Sequence, residues 1–183
     1  MRLRLFPLAY LSVLLLVTPL QLQAQDHQGT LIFLVRHAER ADDGAAEAEE
    51  DPRLSQAGHA RAEALREMLK SVGLTHVHSS NYIRTRETAA PTAREAGLDV
   101  SPYDVRALEE FAEQLRSTPG RHLVVGHSNS TPRLVAALGG DPHGTIESME
   151  YDRLYLLAAG PQGVQTILLR FGEPFRSRMP PLQ

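Results

Sequence analysis

The chain has 183 residues, 42% of them hydrophobic and 22% charged, which suits one globular domain with a core of its own. A formal net charge of -3 excludes a general nucleic-acid binder, because such proteins need a broad basic surface, so any anion site must be local. With no cysteine, disulfides, thiolate chemistry and cysteine-ligated zinc are excluded.

Taken in chain order, Arg2 and Arg4 precede a run from Leu8 to Leu20 that is broken only by Ser12, Thr18 and Pro19. This reads as an export signal over residues 1–24, with small Ala24 before the cut. An uncleaved anchor is the alternative, for which the run is short. The absence of a following cysteine argues against a lipoprotein signal. The expectation is a single mature domain over 25–183 with no stable membrane span, periplasmic or extracellular.

Leu31 to Val35 is an unbroken apolar run that stops at Arg36 and His37, as a strand buried on both faces does where it leaves its sheet. Arg40 to Pro52 carries Asp42, Asp43, Glu47, Glu49, Glu50 and Asp51 without a core-facing period. It reads as a solvated loop, or more sharply as a flap whose charge discourages highly anionic substrates. Ser55 then caps a helix whose apolar stripe is Leu65, Met68, Leu69 and Val72 and which Gly73 ends.

Thr75 to Ser79 is a short strand with His76 and His78 on the face opposite Val77. The pair lacks a third metal ligand at a recognisable spacing, so two partly exposed strand histidines are expected. Ser80 to Gly97 begins with capping residues and continues as a helix that Pro91 should kink or split. Arg84 falls in its first turn, where a cation opposes the helix dipole. That conflict is a hint of function, with an arginine paired to a nearby carboxylate as the alternative.

Leu98 to Tyr103 reads as an edge strand, Val105 to Leu115 as a helix and His122 to Gly126 as another buried strand. It ends in Gly126-His127-Ser128-Asn129-Ser130, ahead of a helix over Thr131 to Leu138. A loop through Asp141 to Glu150 leads to two strands, Leu154 to Ala158 and Val164 to Leu169, forming a hairpin across Gly160-Pro161-Gln162-Gly163. The tail from Gly172 reads as irregular. Alternation of strands and helices predicts an α/β fold, a three-layer α/β/α sandwich with a mostly parallel central sheet and a C-terminal antiparallel hairpin.

In that fold the carboxyl ends of the strands line one edge, so Arg36, His37, Arg84 and His127 can converge. Two guanidinium forks match the oxygens of a phosphoryl group, helix N-terminal amides add donors, and one histidine is left free to attack. Flanking guanidinium charges should keep that imidazole neutral.

These segments resemble the histidine phosphatase superfamily, the phosphoglycerate-mutase-like proteins. The resemblance rests on Leu34-Val35-Arg36-His37-Ala38-Glu39, on Leu54-Ser55-Gln56-Ala57-Gly58, on Ser80, Arg84, Thr85 and Thr88, and on Val124-Val125-Gly126-His127-Ser128. It implies that His37 is the nucleophile of a covalent phosphohistidine, that Arg36 and Arg84 bind the phosphoryl oxygens, and that His127 completes the pocket. It further implies a small exported phosphatase that uses no cofactor or metal and acts on a small phosphorylated substrate or a phosphoprotein.

The family's usual Arg-His-Gly is here Arg36-His37-Ala38, and Arg40 and Asp43 stand where many members carry threonine and asparagine. For the acid that protonates the leaving group, Glu109 is the candidate, with Glu110, Asp104 and Glu39 as rivals. Two other classes remain open. One is a serine hydrolase using Ser128, since Gly126-His127-Ser128-Asn129-Ser130 nearly fits the nucleophile elbow. The other is an exported protein that binds a phosphorylated ligand without turnover.

Overall fold

The computed structural model describes residues 29–45, 50–160 and 163–176. The export signal expected over 1–24 lies outside them. Six strands and four helices alternate from β1 (Leu31–Arg36), α1 (Gln56–Leu69), β2 (His76–Ser80) and α2 (Ile83–Ala96) to β3 (Val100–Tyr103), α3 (Leu108–Ser117), β4 (Arg121–Gly126) and α4 (Ser130–Ala137). The pair β5 (Arg153–Gly160) and β6 (Gly163–Arg170) closes the chain as an antiparallel hairpin.

The sheet has the order β3-β2-β4-β1-β5-β6. The first four strands are mutually parallel, and β5 alone runs against β1 and β6. Because β1 and β4 are buried on both faces, alternate side chains feed two cores. Ile32, Leu34 and Val124 pack with Leu108, Phe111 and Leu134 of α3 and α4. Phe33, Val35 and Leu123 pack with Leu65, Leu69 and Ala89 of α1 and α2. The result is the three-layer sandwich expected from the sequence.

Chain path also places the site. From β1 the chain moves toward the β3 edge over one face, and from β4 it moves the other way over the opposite face. The crevice beyond the adjacent carboxyl ends of β1 and β4 is therefore a switch point, where open α/β sheets hold ligands.

Several local expectations are corrected. The buried face of α1 is Gly58, Arg61, Ala62, Leu65 and Leu69, while Met68 is exposed and Val72 lies beyond the helix end. Pro91 does not split α2, which continues from Ile83 to Ala96 with Pro91 buried, so packing outweighs one lost backbone bond. His78 and His122 are buried, and with His76 they form a parallel stack in which His78 Nε2 lies 3.2 Å from His122 Nδ1. The helix expected from Val105 begins only at Leu108, which frees Val105 and Arg106 as loop residues. The described part of the tail from Gly172 is irregular, as expected, and Arg61 donates to the carbonyls of Phe171, just before it, and Glu173 at 2.7 and 2.8 Å. Among the described residues no helix is long and apolar enough to cross a membrane.

Candidate active site

Four segments meet in one cleft of about 630 Å³, and Arg36, His37, Arg84 and His127 all line it. His37 follows β1 directly, and its backbone N–H donates to Gly126 O at 2.9 Å, extending the β1–β4 ladder and bringing His127 alongside. The two imidazole rings lie 5.4 Å apart, edge to face. Ala38 needs no positive φ, which is why alanine is accommodated there, and its N–H donates to Thr88 Oγ1 at 3.0 Å. Thr88 Oγ1 in turn donates to Arg84 O at 2.8 Å, tying the turn after β1 to the first turns of α2.

The tautomers follow from these partners. His37 Nδ1 lies 2.8 Å from Ala38 O, an acceptor only, so Nδ1 carries the proton and Nε2 keeps a free lone pair. Burial, above all, and then the nearby Arg36, His127 and Arg84 charges push its pKa down to about 2. Ser80 Oγ lies 2.8 Å from His127 Nε2 and donates to Thr85 Oγ1 at 3.0 Å, so it accepts from the imidazole N–H. His127 Nδ1 then faces Arg84 Nη2 at 3.5 Å. Burial first, then Arg84 and Arg36, lower the His127 pKa to about 4.

Both arginines are held at one end and free at the other. Arg36 Nη1 donates to the carbonyls of Glu147, Ser148 and Glu150 at 2.7 to 3.1 Å, and the guanidinium lies 4.0 Å from the centre of the Tyr151 ring. Arg84 Nη1 donates to Asp51 Oδ1 at 3.1 Å and its guanidinium stacks on Tyr82. The Nε of each is buried with no hydrogen-bond partner. A buried N–H donor without an acceptor is costly, and two of them in one cleft fit an anionic ligand.

The acidic loop is not simply solvated. Asp42 is buried, Asp43 accepts from Arg40 and from Tyr151 Oη, and both Asp51 oxygens accept from Ile83 N at 3.0 and 3.1 Å. Asp51 thus caps α2 and offsets the unfavourable placement of Arg84 in its first turn. Asp42, Asp43 and Asp51 are thus turned onto arginines and do not face solvent as free charges.

Glu109 is not brought to the cleft. It is exposed on α3 and borders a separate depression with Glu110 and Glu113. Of its rivals, Glu39 is held by Arg61 at 2.7 Å and Asp104 pairs with Arg106 at 3.1 Å. Among the described residues no carboxylate lines the cleft. Ser128 lines the cleft, but His127 turns to Ser80 and gives Ser128 no activating base.

Sequence reasoning named Asp51 and Ser80 without giving either a role at the site, and it missed Tyr151, Arg106 and Arg133, the last two also lining the cleft. Only Arg133 had a local signal, since the helix carrying it contains no acidic residue.

Residues 32–114 match the model of the histidine phosphatase superfamily (branch 1). Among solved structures, the fold is similar to a mycobacterial glucosyl-3-phosphoglycerate phosphatase, at 16% identity, covering 78% of this chain and 98% of that one with a TM-score of 0.61. It is also similar to a candidate phosphohistidine phosphatase, SixA, from Agrobacterium tumefaciens, at 23% identity, covering 79% of this chain and 98% of that one with a TM-score of 0.55. A candidate alpha-ribazole-5'-P phosphatase from Escherichia coli gives 18% identity, 77% and 96% coverage and a TM-score of 0.57. Among curated proteins, none matches the sequence. At these identities the likeness to solved structures is one of fold. The family match over residues 32–114 and this likeness of fold both point to the histidine phosphatase superfamily.

Proposed function

We propose that this protein hydrolyses phosphomonoesters through a phosphoryl group carried on His37 Nε2. The observation that carries the proposal is the pairing of that free, neutral nitrogen with two buried, unpartnered guanidinium N–H groups in the same cleft. Arg36 and Arg84 hold the equatorial oxygens as charge redistributes in the transition state. In the first step Nε2 forms a bond to phosphorus as the P–O bond breaks, and the departing oxygen keeps that electron pair and takes a proton from solvent. In the second, water attacks the phosphohistidine and returns the imidazole and inorganic phosphate.

His127 contacts the same phosphoryl group. In the empty cleft its Nδ1 is unprotonated beside Arg84, but a doubly charged oxyanion seated there favours a proton on Nδ1, which then donates to the ligand. Arg36, Arg84 and His127 supply the positive charge, so activity is expected to persist in a chelator. Export before action is part of the proposal, on the strength of Arg2, Arg4 and the Leu8 to Leu20 run. N-terminal sequencing of the mature protein tests it, with a start near Gln25 expected.

The decisive experiment is rapid quench with a labelled aryl phosphate, whose leaving group needs little protonation. An acid-labile adduct is expected on the wild-type chain, and none on His37→Ala. Persistence of the adduct in that variant would place the nucleophile elsewhere. A second reading, phospho-ligand binding without turnover, is favoured because no carboxylate among the described residues lines the cleft. Turnover of the aryl ester excludes it; tight oxyanion binding without turnover establishes it.

A further inference from the structure

The cleft holds more positive charge than one phosphoryl group uses. Beyond Arg36 and Arg84 at its floor, Arg40, Arg106 and Arg133 also line it. Arg40 is neutralised by Asp42 and Asp43 at 3.2 and 3.0 Å. Arg106, 87% exposed, pairs among the described residues only with the half-exposed Asp104, an arrangement that holds its charge weakly. Arg133 forms no hydrogen bond or ion pair among the described residues, although Glu109, Glu110 and Glu113 border the depression on its far side.

These two arginines reach the cleft from different elements, Arg106 from the β3–α3 connection and Arg133 from the first turn of α4. Neither is needed to neutralise a phosphoryl group already held by Arg36, Arg84 and His127. A volume of about 630 Å³ leaves room for the alcohol of a small substrate in a cleft that Arg106 and Arg133 also line.

We infer that Arg106 and Arg133 form a second anion seat at the mouth of the cleft, which selects small phosphomonoesters bearing a further carboxylate or phosphate. This rests on the phosphohydrolase reading for its kinetics but not for its binding. Three carboxylates of the acidic loop do not oppose such substrates freely, because Asp42 and Asp43 are engaged by Arg40 and Asp51 by Arg84.

The test compares three esters of one two-carbon alcohol: ethyl phosphate, phosphoglycolate and ethylene glycol bisphosphate. On the wild-type chain at low salt, kcat/KM is expected to be about tenfold higher for at least one charged ester than for ethyl phosphate, chiefly through KM. The carboxylate and phosphate arms show which second anion is preferred. Arg106→Ala and Arg133→Ala should each bring the charged-to-neutral ratio toward one. Arg66→Ala, on the distant surface of α1, should leave it in place, and added salt should reduce it.

A wild-type ratio near one, or a ratio that survives in both variants, overturns the inference. So does discrimination found only with an acidic phosphopeptide. If no ester is hydrolysed, calorimetry with phosphonoacetate and methylphosphonate reads the seat alone. Stronger binding of phosphonoacetate that depends on Arg106 and Arg133 then supports the seat while the hydrolase reading fails, and equal binding overturns the seat.

Discussion

Arg36 and Arg84 look equivalent in the sequence, yet they are anchored differently. Arg36 Nη1 serves three backbone carbonyls, so Arg36→Ala leaves these acceptors without their donor and should cost roughly 2 kcal/mol of stability besides activity. Arg84→Ala breaks one partly exposed ion pair and should cost less. Both should lower kcat/KM by about a hundredfold or more, since each withdraws a charged donor from the transition state. Parallel melting curves and kinetics check the contrast; equal loss of stability would refute the anchoring argument. The lone pair on His127 Nδ1 makes a second claim at this scale. Tungstate, a dianion that does not titrate near neutrality, should bind with uptake of a fraction of a proton that grows as pH falls from about 8 to 6. Calorimetry in buffers of different ionisation enthalpy reads it, and His127→Gln should abolish it. At this scale His37, Arg84 and His127 were legible because each follows a strand end, whereas Glu109 was chosen by chain position and lies outside the cleft.

Helix α2 shows what an element owes to a distant segment. Tyr82 at its N-cap gives no side-chain bond, and the carboxylate of Asp51 takes the exposed N–H of Ile83 instead. Asp51→Ala should therefore destabilise the protein by roughly 1 kcal/mol, lowering Tm by about 2 to 4 °C, and raise KM by loosening Arg84. Asp51→Asn should keep most of the stability, since an amide oxygen also caps. The start of α1 is constrained more rigidly. A Cβ on Gly58 would stand 2.2 Å from the backbone carbonyl oxygen of Glu39, two residues past His37. Gly58→Ala should displace the turn after β1, with reduced soluble yield and loss of activity together. Strands and helices of the sequence reading survive almost intact because apolar period and turn residues are local properties. The acidic loop was misjudged because its partners, Arg84 and Tyr151, lie far along the chain.

Across the whole molecule, four of the described histidines, His37, His78, His122 and His127, have pKa values lowered by burial. Burial, aided by His122 and His76, lowers His78 to about 4, His127 is also near 4 and His37 near 2. Unfolding restores an ordinary pKa near 6.5, so the unfolded chain binds more protons in this range and stability rises with pH. The contribution is present in full above about pH 6.5 and is lost between 6.5 and 4, with His37 continuing below; His78 alone accounts for roughly 3 kcal/mol. Urea midpoints should fall steadily over that window, and a flat profile would mean that these imidazoles are not buried neutral.

Local pattern was sufficient for the sandwich itself: apolar runs halted by arginine and histidine, with helices between, admit few arrangements in which two-sided strands are buried. Membership of one cleft by Arg36, His37, Arg84 and His127 followed, because parallel strands end on one side. What anchors those side chains was decided only by tertiary structure. Arg36 reaches carbonyls 111 to 114 residues away, Asp51 caps a helix across a loop, and Arg106 and Arg133 become neighbours of the site through packing. Such pairings leave no period in the sequence, since they join positions whose closeness exists only after the sheet has formed.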